Sequence, residues 1–127
     1  MNTTEKIYTQ HTDHTEWISK LKFYTDEISI LKNRLAEIAK KNSHKDVLAQ
    51  VEHFQNQFIV QKNNIDEISH AIKMDEARIQ KEIDINPTAS DHRKTEGHSK
   101  EKESVEDFEK NFTALRAAFK KFALKRL

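Results

Sequence analysis

The residues able to do chemistry in this chain are few in kind. It holds seven His, 21 Asp or Glu and no Cys, which removes disulfides, thiolate nucleophiles and Cys-based metal sites. No Gly-rich phosphate loop, G-x-S-x-G or H-E-x-x-H occurs, so the standard nucleotide and hydrolase sites are missing. One Glu-x-x-His unit, Glu67 to His70, matches the element that di-iron bundles use twice. Its neighbours Ile65 and Ile68 define the inward face of a helix, which turns Glu67 and His70 toward solvent. The expectation is a protein that is not an enzyme, with no cofactor implied and no small-molecule substrate evident.

A better grouping is His11, His14, Asp75 and His98, with Glu82, His92 and Glu101 at neighbouring levels. Imidazole and carboxylate suit Zn²⁺ or Fe²⁺, and His residues three apart on a helix can point to one site. The simpler reading of the same residues is a polar bundle end, partly open and hydrated. Gln61 is a separate polar exception beside Tyr24 and Phe112; a hydrogen bond to the Tyr24 hydroxyl or to water would satisfy it and fix helix register.

These residues can meet only if long helices carry them. The chain has 127 residues with one Gly and one Pro, too little punctuation for turn-rich β architecture. In the first segment Ile7, His14, Leu21, Ile28 and Leu35 alternate with Gln10, Trp17, Tyr24, Leu31 and Ile38 in steps of three and four. Such alternation keeps one stripe of a helix on a partner. In the second, Val51, Phe58, Ile65, Ile72 and Ile79 alternate with Val47, Phe54, Gln61, Ile68, Asp75 and Glu82. In the third, Val105, Phe112 and Phe119 alternate with Phe108, Leu115 and Phe122. Eight of the ten aromatics fall on these seams, so core packing accounts for most of the large side chains.

The pattern predicts an all-α fold: an elongated antiparallel three-helix bundle with coiled-coil-like heptad packing, a single domain over 1–127. Helices are expected at about 5–41, 44–85 and 99–126. Ser43 and Asp46 suggest a capping-box-like start to the second helix. Pro87 ends it. Residues 87–104 contain no large apolar side chain, which predicts a polar connection over 86–98 and a frayed end near Ile7, Ile79 and Ile83. Reflection about the two connections places Leu21, Ile65 and Phe108 in one layer and Leu31, Phe54 and Phe119 in another. It also sets His14 near Ile72 and Glu101, and Asp75 near His11 and His98. A dimer of helical hairpins is the architectural alternative.

The run VEHFQNQF and the heptad-bearing first segment resemble small uncharacterised bacterial helical-bundle proteins. The resemblance implies the same fold and brings neither an activity nor a site.

Charge is nearly balanced, 22 basic against 21 acidic residues, which gives no general reason to expect nucleic acid. No apolar run approaches the roughly 18 residues of a membrane span, and the N-terminus lacks a signal-peptide core, so no membrane association and a cytoplasmic location are expected. The basic run Arg116, Lys120, Lys121, Lys125 and Arg126 complements a helix C-terminus. Its segment carries 10 basic against 7 acidic residues and the second segment 5 against 8, so the second and third helices should attract. Phe23, Ile30, Ile59 and Val60 lie off the seams and form the candidate partner surface, for a protein partner or for self-association. The leading expectation is a non-enzymatic structural or protein-interaction bundle. The alternative is a metal- or pH-responsive bundle that uses its His-rich polar end.

Overall fold

The computed structural model describes residues 3–85 and 92–126, with side chains described over 8–81 and 97–126. They form an all-α three-helix bundle of α1 (Thr3–Lys41), α2 (Lys45–Ile85) and α3 (His92–Leu124). At 1.5 Å per residue the 41-residue α2 is about 60 Å long. Among the described residues no helix is long and apolar enough to cross a membrane.

Each helix end near the first connection has a local cause. The Asn42 side-chain amide donates to the Ile38 carbonyl at 2.8 Å, satisfying an acceptor that the last turn of α1 leaves open. At the start of α2 the Asp46 N–H donates to His44 Nδ1 at 3.3 Å. The cap is therefore His44 and not Ser43, because an imidazole nitrogen can reach the free amide as a short hydroxyl does.

Direction follows from the cross-helix pairs. Asp13 with His98, His14 with Glu101, Lys20 with Glu109 and Glu27 with Arg116 are separated by 85, 87, 89 and 89 residues. A nearly constant offset means that α1 and α3 run the same way. In contrast His14 meets Glu76 whereas Leu35 shares a groove with Val51, so α2 runs against both. α3 packs more closely on α2 than on α1, yet among the described residues its cross-helix ion pairs are with α1, so apolar packing and not the charge balance expected from the sequence accounts for the closer approach.

The seam residues form the core. Leu21, Ile65 and Phe108 are buried, as are Leu31, Phe54 and Phe119. The Phe54 and Phe119 rings meet edge to face at 5.5 Å, and Phe58 meets Phe119 at 5.4 Å. Each such side chain contributes about 1.5 to 3 kcal/mol of hydrophobic free energy. Gln61 is buried in this core with Oε1 unpartnered. Tyr24 does not satisfy it, because the Tyr24 ring lies beside Arg116, with guanidinium to centroid 5.8 Å. Burial first, and then the charge of Glu109, raise the Tyr24 phenol above its ordinary pKa.

α3 starts at His92, well before the expected 99, so most of the second half of the expected polar connection is helical. The heptad register explains this. Counting back from Val105 and Phe108 puts His98 and Glu101 on the same stripe, so the inward seam continues with polar residues in place of apolar ones. The polar end is also closed where it is described: Ile72 and Ile79, on either side of Asp75 along α2, are both buried. The side chains of Ile7, Glu82, Ile83 and His92 lie outside the described residues.

Candidate functional site

Four seam positions on three helices meet at this end. His14 of α1 is 2% exposed and Asp75 of α2 is 4% exposed, while His98 and Glu101 of α3 are partly buried. Glu101 Oε2 stands 2.9 Å from His14 Nε2, and Asp75 Oδ2 stands 3.8 Å from the same nitrogen. His14 Nδ1 faces Glu76 Oε2 at 2.6 Å. With a carboxylate facing each ring nitrogen, the surroundings of His14 favour the imidazolium, the form that donates from both. Burial alone would lower its pKa, but hydrogen bonds to Glu101 and Glu76 outweigh this and raise it above the ordinary 6.5.

The carboxylates divide. Burial would raise the Glu76 pKa, yet hydrogen bonds from His14, His11 and Gln80 bring it below the usual range. Glu101 goes the other way: burial raises it, the bond to His14 opposes, and the nearby charge of Asp75 adds to the rise. Two acids with opposite shifts within one cluster mark a strongly structured electrostatic site.

His98 completes the layer. Its Nε2 lies 2.9 Å from Asp13 Oδ2, and Asp13 is acceptor-only when ionised, so Nε2 carries the proton. Nδ1 is buried and without a hydrogen-bond partner; in a neutral ring it is the lone-pair acceptor. The ring leans on Trp17 at 4.9 Å and on His14 at 5.5 Å, which fixes its plane. Asp75 Oδ1 reaches Arg78 at 3.3 Å, whereas Asp75 Oδ2 has no hydrogen-bond partner. Donor atoms of His14, His98 and Glu101 lie within 4.8 Å of one another.

The structure thus brings His14, Asp75 and His98 together. His11 sits one step outside: its exposed ring bonds Glu76 from the solvent side. Sequence reasoning missed Asp13 and Glu76, which flank the seam rather than occupy it. Charged side chains at the positions flanking a heptad seam commonly pair with a neighbouring helix, and that was the available signal. Comparison with protein-family models, curated proteins and solved structures finds no match for the chain.

The off-seam residues are exposed, Phe23 at 65% and Ile30 at 60%, with Ile59 and Val60 exposed on α2. Ile30 borders an open groove of about 540 Å³ between α1 and α3, floored by Leu31, Phe119 and Ala123. Arg34 and Lys120 stand at its rim beside Glu27, whose carboxylate is already held by Arg116.

Proposed function

We propose that this chain is a non-enzymatic, cation-responsive helical bundle, in which a divalent ion held at the polar end ties α3 to the α1–α2 hairpin. The observation that carries the reading is a pair of buried acceptors without hydrogen-bond partners, Asp75 Oδ2 and His98 Nδ1, in the layer of His14 and Glu101. An unsatisfied buried acceptor costs about 1 to 3 kcal/mol, and a cation satisfies several at once. Zn²⁺ at a hundredfold excess over its Kd should raise the melting temperature of EDTA-treated protein by roughly 10 °C. The same rise is expected for His70→Ala, on the solvent face, and no rise for His14→Ala or His98→Ala. Equal melting of all four proteins with and without metal removes the reading. Circular dichroism checks that each variant is helical.

The interaction-module reading is supported by the α1–α3 groove. Its rim cations Arg34 and Lys120 would repel a second copy seated in the same place, and favour an acidic amphipathic helix of another protein. A synthetic helix with Leu at i, i+3 and i+7 and flanking Glu is the probe, followed by fluorescence anisotropy. Ile30→Glu and Lys120→Glu should each weaken it by about tenfold or more. Unchanged binding by both variants removes this reading. So does a wild-type dimer in light scattering that Phe23→Glu with Ile30→Lys dissociates.

A further inference from the structure

Resting on the cation-responsive reading, we infer that the polar layer is a four-donor site of the zinc class, formed by His14 Nε2, His98 Nδ1, Asp75 Oδ2 and Glu101 Oε2, with Glu76 and Asp13 as positioning residues.

The donor set follows from which atoms are already committed. His14 Nδ1 is engaged by Glu76 and His98 Nε2 by Asp13. Each imidazole is therefore held by a carboxylate on one nitrogen and presents the other toward the same layer. That is the arrangement in which a second-layer carboxylate fixes the tautomer and ring plane of a metal-ligating His. It occurs here twice, on His residues from different helices. Asp75 repeats the division of labour, with Oδ1 turned to Arg78 and Oδ2 without a partner. His11 stands outside the first layer because its ring is half exposed and meets Glu76 from the side away from His14.

The dimensions and chemistry select the class of ion. Ligand atoms on a tetrahedral Zn²⁺, at about 2.0 to 2.2 Å from the metal, stand roughly 3.3 Å apart. The donors of His14, His98 and Glu101 lie within 4.8 Å of one another. Asp75 stands outside that group, 3.8 Å from His14 Nε2, and joins the shell by a rotamer change. Two imidazoles and two carboxylates, buried against Trp17 and Ile72, offer too few oxygens for Ca²⁺ and too much nitrogen for Mg²⁺. Two carboxylates neutralise the dication and two neutral imidazoles complete the shell, any proton on a ligating nitrogen leaving to solvent.

The test uses the whole metal-free chain with Co²⁺ and Zn²⁺ as probes. Co²⁺ should bind one per chain and give the intense visible bands of a four-coordinate ion, and Zn²⁺ should displace it. Asp75→Asn, which preserves shape, and His98→Ala should abolish those bands while the helical signal persists. Asp13→Asn and Glu76→Gln should keep the spectrum but weaken binding by about 10- to 100-fold, and His11→Ala should stay within about twofold of wild type. A weak six-coordinate Co²⁺ spectrum, equal stabilisation by Ca²⁺ or Mg²⁺, or full binding by His98→Ala overturns the zinc-class assignment and leaves cation response standing. Binding of none of these ions overturns both.

Discussion

Phe112→Ala is expected to lower the unfolding free energy by about 3 to 5 kcal/mol, a large share of the stability of a domain this size. Phe112 is completely buried. Its ring stacks on Phe108 at 5.7 Å and meets Tyr24 edge to face at 5.2 Å, and the Arg116 guanidinium lies 4.9 Å from its centroid. Truncation therefore removes hydrophobic area, two aromatic contacts and a cation–π contact. The cavity cannot collapse easily because long helices, pinned by Glu27 with Arg116 and by Lys20 with Glu109, resist local approach. Phe23→Ala, at an exposed position of the same residue type, should change stability by less than about 0.5 kcal/mol. Urea unfolding of the three proteins measures both values. A loss below about 1.5 kcal/mol at Phe112 would mean that the aromatic layer is not packed as described.

That layer was readable from the residues alone. The three-and-four spacing named Phe54, Phe58, Phe108, Phe112 and Phe119 as inward, and reflection about the connections paired Phe54 with Phe119, which meet at 5.5 Å. The same reflection put His14 at the level of Glu101, and the two are 2.9 Å apart. What was not legible has a common cause. A hydrophobic pattern reports only apolar seams, so the polar stretch up to His98 looked like a connection, although α3 is helical from His92. Asp13 and Glu76 escaped notice because their reach depends on side-chain rotamers, and a heptad count gives position but not reach. The Gln61 to Tyr24 bond failed for a related reason: layer assignment ignored the competing pull of Arg116 and Glu109 on the same ring and its hydroxyl.

The polar layer also sets a stability that depends on pH. In metal-free protein His14→Ala is expected to cost about 3 to 5 kcal/mol near pH 6, and progressively less as the solution becomes alkaline. The imidazolium sits between Glu76 and Glu101 with Asp75 close by, and its loss leaves three carboxylates facing Arg78, His11 and His98 alone within the cluster. The His14 pKa is raised above about 6.5 in the folded state. Its contribution is then fully present below about 6.5 and fades as pH rises through the folded value. Glu101, also raised, acts in the same direction, since the folded state holds its proton more tightly than the unfolded chain does. Glu76, lowered below its usual 4.5, has the opposite sign: its contribution is present above that value and is lost as pH falls through the folded one. Among these three groups the metal-free optimum therefore lies near pH 4.5, where the Glu76 contribution is complete and that of Glu101 begins to fall, and the loss deepens above about 6.5 as His14 joins it. Bound Zn²⁺ takes the place of the Nε2 proton, so its stabilisation should grow over the same rise in pH that weakens the metal-free protein. Urea unfolding of EDTA-treated wild type and His14→Ala at intervals from pH 5 to pH 9 reads the gap between them, which should narrow toward the alkaline end. A gap that stays constant or widens would show that His14 stabilises the bundle as a neutral packing group and not as the cation at the centre of this cluster.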